Sequence, residues 1–205
     1  MERWVSIILK ERKGEYKRKT SETKIEVKVD LDGKGISNLE TEIHFLNHML
    51  ALFACHGLFD LEVKARGDLE VDYHHTVEDI GICLGEAIKN ALQDKKGIKR
   101  YGFTILPMDE SLVRVALDLS GRGQLTYKVQ FEQERVGSFE VSLVEEFFRA
   151  LSYHAGMTLH INLLYGKNSH HIIEAIFKAF GRALDEATRK DDRLDDIFST
   201  KGIID

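Results

Sequence analysis

The chain writes one helical pattern twice, and this constrains its fold more than any other feature. HHTVEDIGICLGEA runs from His74 to Ala87, and HHIIEAIFKAFGRA from His170 to Ala183. Counted from the first histidine of each, Glu78 and Glu174 match, as do Ile80 and Ile176, Gly85 and Gly181, and Ala87 and Ala183. The helix-like segments upstream extend the match. His48 lies 26 positions before His74 and Glu146 lies 24 before His170, and His56 and His154 each follow eight positions after those residues. Two amphipathic helices share apolar spacing easily; sharing the HHxxE pattern as well points to an internal duplication.

Secondary-structure signals follow the same order in each half. TKIEVKVDLDG alternates like a strand, HFLNHMLALFACHG has helical spacing ending at Gly57, FDLEVKARGD reads as a strand, and HTVEDIGICLGEAIKNALQD as a long helix. SLVRVALDLSGRG and QLTYKVQFE then read as strands, EVSLVEEFFRALSYHAG as a helix, TLHINLLYG as a strand and HIIEAIFKAFGRALDEAT as a helix. The fold class is α/β in the α+β sense: a duplicated unit, residues 1–93 and 94–205, with helices bundled between two mostly antiparallel or mixed sheets. No Pro/Gly/Ser-rich linker separates the halves, and Pro107 is the only proline, so the halves share one body.

Composition narrows the function. With 205 residues, 43% hydrophobic and 31% charged, the chain can bury a core and stay soluble. A net charge of −5 argues against nucleic acid as the main partner, and no apolar run is long enough for a bilayer. The opening MERWVSIILKERKGEYKRKTSETK lacks a small-residue cleavage site and does not read as a signal peptide. Cys55 and Cys83 sit in apolar contexts and are expected as buried free thiols in a reducing cytosol.

On a helix, HHxxE puts the glutamate on the face of one of its histidines, while the neighbouring histidines diverge by about 100°. One such pair does not suit one ion. Two copies offer four imidazoles and two carboxylates, a donor set for two ions flanking a shared site. Imidazole and carboxylate without thiolate suit Mn, Fe, Co, Ni or Zn, and carboxylate-rich octahedral sites lean toward Mn. The cysteines lack the spacing of a structural zinc site. His44 and His160 read as ordinary histidines, and His56 and His154 fall near helix ends, where cationic or capping roles are common. Arg100 and Arg122 sit beside glycines, Lys178 lies one turn beyond Glu174, and Ser199, Thr200 and Lys201 close the chain in STKG. Basic side chains with hydroxyls and exposed backbone donors suit a phosphate.

FLNHML, HGLFDLEV, GDLEVDYHHTVEDIGICLGEA, PMDESL, DLSGR, VEEFF, TLHI, GKNSHHIIEAIFKAFGRAL and STKG together resemble the imidazoleglycerol-phosphate dehydratase family, from about Thr20 to Gly202. The resemblance implies a cytoplasmic hydro-lyase of histidine biosynthesis that converts imidazole glycerol phosphate to imidazole acetol phosphate. It implies two manganese ions per active site and a 24-subunit homo-oligomer with sites at subunit contacts. By motif, His48, His75, His170 and Glu174 serve one ion, and His74, Glu78 and His171 the other. Glu146 stands where the family often has a further histidine, so it joins the ligand candidates. Glu22 matches an acidic residue that contacts substrate and moves protons; Arg100, Arg122, Lys178, Ser199, Thr200 and Lys201 match the phosphate side, and His56 is counted with the substrate-binding residues. Metals on both ring nitrogens would stabilise an imidazolate as hydroxide leaves. The sequence departs from the family pattern at Glu42, where glycine is usual, at Asn47 and Tyr73, where aspartate is usual or frequent, and at Phe198, where proline is usual. Two rival classes remain: a dinuclear metallohydrolase acting on a phosphorylated metabolite, and a non-catalytic metal-binding shell.

Overall fold

The computed structural model describes residues 11–204. The N-terminal stretch weighed above as a signal peptide falls partly outside the described residues. Among the described residues no helix is long and apolar enough to cross a membrane.

The first sheet is built from β1 (Lys13–Lys19), β2 (Thr23–Asp30), β3 (Ser37–Glu40) and β4 (Asp60–Gly67), in the order β1-β2-β4-β3. The second comes from β5 (Tyr101–Met108), β6 (Ser111–Asp118), β7 (Gln124–Lys128) and β10 (Thr158–Tyr165), in the order β5-β6-β10-β7. In each, three strands are antiparallel and the last edge strand is parallel to its neighbour, so both sheets are mixed. A short hairpin, β8 (Arg135–Val136) and β9 (Phe139–Glu140), precedes the third helix.

Four helices fill the space between the sheets: α1 (His44–Gly57), α2 (His74–Leu92), α3 (Ser142–Ala155) and α4 (Ser169–Thr188). Strand alternation explains the layering. Thr23, Ile25, Val27 and Val29 face inward from β2, and Ser111, Val113, Val115 and Leu117 from β6. Helix α2 lies on β1 and β2, and α4 on β5 and β6. The helices then pair across the repeat, α2 with α3 and α1 with α4.

Close approach in these pairs depends on the matched glycines. A Cβ on Gly85 would lie 2.7 Å from the Leu151 carbonyl oxygen, and one on Gly181 would lie 2.6 Å from that of Phe53. An aromatic cluster fills the middle. Phe53 stacks on Phe180 at 5.3 Å, and Phe148 meets Phe177 at 5.0 Å. Burying each such ring contributes roughly 1.5–3 kcal/mol. The core is therefore shared by both halves of the chain.

The strands and helices read from the sequence all form; β1, β3, β5 and the hairpin were not anticipated. In β1, KGEYKRK, Tyr16 is the only large apolar residue, and the strand pairs along one edge only. In β5 the large apolar side chains lie on the outer face: Tyr101, Phe103 and Ile105 are exposed, while Gly102 faces the helices. One expectation for the cysteines is corrected. Cys83 is buried, but Cys55 is exposed, because it lies off the α1 stripe of Leu46, Met49, Leu50, Phe53, Ala54 and Gly57.

Candidate active site

Both HHxxE motifs open helices. His74 and His75 are the first two residues of α2, where the Asp72 carboxylate accepts from the His74 backbone N–H at 2.7 Å. His170 and His171 occupy the first turn of α4, and the Asn168 side chain accepts from the His170 N–H at 2.9 Å. Neighbouring rings stand edge-on, 6.1 Å apart at 88° in the first pair and 6.2 Å apart at 81° in the second. The helix start thus splits each pair between two directions, as the helical period requires.

One donor cluster closes within the chain. Glu174 Oε1 lies 2.7 Å from His48 Nε2 and 3.2 Å from His170 Nε2. The ligand atoms of these three residues lie within 4.8 Å of one another. Glu174 is 7% exposed, and Lys178 Nζ donates to its Oε2 at 2.8 Å. Burial alone would raise the Glu174 carboxyl pKa; hydrogen bonds and charge from Lys178 and His48 outweigh it and bring it down to about 2. It is therefore a carboxylate at neutral pH, with hard oxygen beside imidazole nitrogen, a donor chemistry that fits manganese. Thiolate is absent from this set, and burial pushes the Cys83 thiol up to about 12, so it stays protonated.

The matching positions in the other direction do not close. His74 Nε2 is 3.9 Å from Glu78 Oε2, and both Glu146 oxygens accept from Arg149 Nη1 at 2.7 Å. His75 Nδ1 lies 3.0 Å from Asp68 Oδ2 and 3.8 Å from Glu22 Oε2. His171 Nδ1 lies 2.7 Å from Glu110 Oε2. The hydrogen bond that His75 donates to Asp68 raises the His75 pKa, and the one that His171 donates to Glu110 raises the His171 pKa. Asp68 and Glu110 lie inside motifs quoted above, yet nothing local in the sequence assigns them to the histidines.

A second feature gathers much of the anion-binding set. A pocket of about 580 Å³ is lined by Arg100, Tyr101, Ser120, Arg122, Phe198, Ser199, Thr200 and Lys201, with Ile197, Ile203 and Ile204. Arg100 is fixed there: Nε and Nη2 donate to the Asp118 carboxylate at 2.7 and 3.0 Å, and Nη1 donates to the Phe198 carbonyl at 2.8 Å. That last bond ties the C-terminal segment to the sheet. Asp118 and Ser120 were not singled out from sequence. Lys178 is not among the pocket-lining residues; its ammonium is engaged by Glu174. His56 lies in the last turn of α1, and its pKa is lowered by burial and by Lys178 and Arg182. His154, its counterpart, instead meets Glu86 at 3.0 Å.

Two departures from the family pattern have a local reading. Glu42 sits at φ 62°, the left-handed region that favours glycine, and a side chain there costs about 1–2 kcal/mol. Asn47 Oδ1 accepts from the Thr41 hydroxyl at 2.6 Å, which ties the residue beside His48 to the start of the helix.

Solved structures share this architecture. The chain resembles the imidazoleglycerol-phosphate dehydratase of Staphylococcus aureus with a TM-score of 0.80 and 42% identity, over 87% of this chain and 99% of that one. It resembles the enzyme from Pyrococcus furiosus, solved in complex with (S)-C348, with a TM-score of 0.80 and 37% identity, over 92% and 99% of the two chains. Fold and site thus define a class, the α/β hydro-lyases with an imidazole–carboxylate site. The imidazoleglycerol-phosphate dehydratase family model matches residues 41–184, and the relative from Acetivibrio thermocellus is 61% identical over 95% of this chain and all of its own. A relative from Caldanaerobacter subterraneus is 61% identical over 94% of the chain and all of its own. The chain belongs to the imidazoleglycerol-phosphate dehydratase family, hydro-lyases of histidine biosynthesis.

Proposed function

We propose that this chain removes water from imidazole glycerol phosphate to give imidazole acetol phosphate, using two manganese ions per site, and that it does so in the cytoplasm as a 24-subunit shell. The observation that carries the metal reading is the cluster of His48, His170 and Glu174, three donor atoms within reach of one ion. His75 completes that set, while His74, Glu78 and His171 serve the second ion, with Glu146 a further candidate. Bound manganese supplies Lewis-acid stabilisation of charge that develops on the substrate imidazole.

The protein groups divide the remaining work. Glu22, 52% exposed at its side chain and 3.8 Å from His75, is the proton carrier. Arg100, Arg122, Ser199, Thr200 and Lys201 hold the phosphate in their shared pocket, with Lys178 and His56 on the substrate side. Residues 1–93 and 94–205 are the two copies of a duplicated unit, which the identical strand order of the two sheets supports.

Two observations favour assembly. His75 and His74 lie outside the donor cluster that one chain closes, so a second chain has ligands to contribute. The outer face of the second sheet also exposes Tyr101, Phe103 and Ile105, whereas that of the first carries ion pairs such as Lys17–Glu26 and Lys64–Glu62.

Purified protein given imidazole glycerol phosphate and manganese should form a ketone product one water lighter, with its phosphate retained. Release of inorganic phosphate would indicate the hydrolase reading, and no turnover with bound manganese the non-catalytic shell. The phosphate assignment has its own test. Arg122→Ala should weaken substrate binding by roughly 1.5–3 kcal/mol, the loss of one charge-assisted hydrogen bond, and should appear mainly in KM. Unchanged affinity for substrate and for inorganic phosphate would remove Arg122 from the site.

A further inference from the structure

The second histidine of each pair is held by a carboxylate, but not by the equivalent one. Glu110, the residue just before β6, places Oε2 2.7 Å from His171 Nδ1. The residue just before β2 is Glu22, and its Oε2 stays 3.8 Å from His75 Nδ1, beyond hydrogen-bond distance. Asp68, which follows β4, takes that role at 3.0 Å. The residue that follows β10 is Gly166, which has no side chain to offer. Each histidine thus has one carboxylate in hydrogen-bond contact and a second farther off, Glu22 at 3.8 Å from His75 Nδ1 and Asp109 at 3.7 Å from His171 Nε2, but the contacting carboxylate comes from a different place in each half.

We propose that Asp68 is the positioning residue for His75, and that by taking this hydrogen bond it leaves Glu22 free to move protons. The inference rests on the dehydratase reading above. A carboxylate only accepts, so the Asp68 contact puts the ring proton on Nδ1 and presents the Nε2 lone pair outward. Glu110 does the same for His171. A Glu22 that had to orient His75 would be tied up in a hydrogen bond, as Glu110 is. Among the described residues no hydrogen bond holds the Glu22 carboxylate; only its backbone N–H is engaged, donating to Thr20 Oγ1 at 3.0 Å.

The two carboxylates are built for these different tasks. The Asp68 side chain is short, 18% exposed, and its Oδ1 is buried. Its strand end is pressed against the start of α2: a Cβ on Gly67 would lie 1.9 Å from Thr76 Oγ1, so only glycine permits the approach that sets Asp68 under His75. Glu22 is longer and lies in the turn between β1 and β2.

The test compares manganese affinity, read by the EPR signal of free ion in chelator-stripped protein, with kcat and KM. Asp68→Ala should weaken manganese binding by about 10–100-fold, the usual effect of removing the partner that orients a ligating histidine. Asp68→Asn, which keeps an acceptor oxygen, should bind more tightly than Asp68→Ala. Glu22→Gln should leave manganese affinity unchanged while kcat falls. Glu22→Gln added to Asp68→Ala should weaken binding further, because Glu22 is then the only carboxylate left to hold the ring. A Glu22→Gln loss of affinity equal to that of Asp68→Ala would overturn the division of labour. So would an Asp68→Ala protein that melts earlier but binds manganese as before. If Asp68→Ala does not fold, Asp68→Asn and Glu22→Gln still decide: equal manganese affinities in the two would overturn the proposal. Wild-type protein that binds no manganese would overturn the metal reading itself, and this inference with it.

Discussion

Glu174→Gln is expected to abolish turnover and to lower the manganese-to-chain ratio. The substitution preserves shape and removes the charge on which three neighbours converge. His48 and His170 share Oε1, and Lys178 holds Oε2. Lys178 is itself 15% exposed, so the variant leaves an unpaired ammonium in a largely buried setting. Breaking such a pair from one side costs on the order of 3 kcal/mol, so metal-free protein should also melt earlier. The pH dependence has a defined sign. The folded-state pKa, about 2, lies below the ordinary 4.5, so the stabilisation is complete above 4.5 and is lost as pH falls toward 2. Metal-free wild type should lose stability through that window, and the variant should lack this component. Elemental analysis and thermal melts between pH 2 and 6 check both. Full metal content in the variant would remove Glu174 from the ligand set.

Chelation is expected to shift the protein from a large particle to smaller oligomers, with manganese reversing the shift. If two chains complete each site, metal binds the assembled state in preference and stabilises it by mass action. Mild acid should act in the same direction, since imidazole must be neutral to bind metal. His75 and His171 have raised pKa values, from Asp68 and Glu110, so proton competition starts above the ordinary imidazole value of 6.5. For the metal-free protein the sign is opposite. Each His–carboxylate pair is fully stabilising below 6.5 and loses that contribution as pH rises through the raised value. Light scattering on a sizing column, with and without chelator at neutral and mildly acidic pH, separates these effects. A particle mass that ignores both treatments would place each complete site within one chain.

The elements nearest the chemistry were legible because their signals are local. Apolar spacing marked α1 to α4, and in the structure the Asp72 and Asn168 side chains accept from the His74 and His170 backbone N–H groups where α2 and α4 begin. Helical geometry alone then dictates that adjacent histidines diverge, as the ring planes do. Edge strands were less legible because their burial depends on what covers them. In β5 the large apolar side chains of Tyr101, Phe103 and Ile105 point outward and Gly102 inward, so residue type does not mark the covered face.

By itself the sequence determined which residue types recur, at what spacing, and on which elements. Tertiary structure decided which of them meet. His48 and Glu174 are 126 positions apart and touch because α1 packs on α4, across the repeat rather than within it. Lys178 pairs with Glu174, because one helical turn separates them and the buried carboxylate demands a cation. Asp68, not Glu22, holds His75, because Gly67 lets the strand end press onto the start of α2. Periodicity and capping act over a few residues and are written in the chain. Which carboxylate reaches which imidazole depends on differences of about an ångström between packed elements, and no local pattern encodes them.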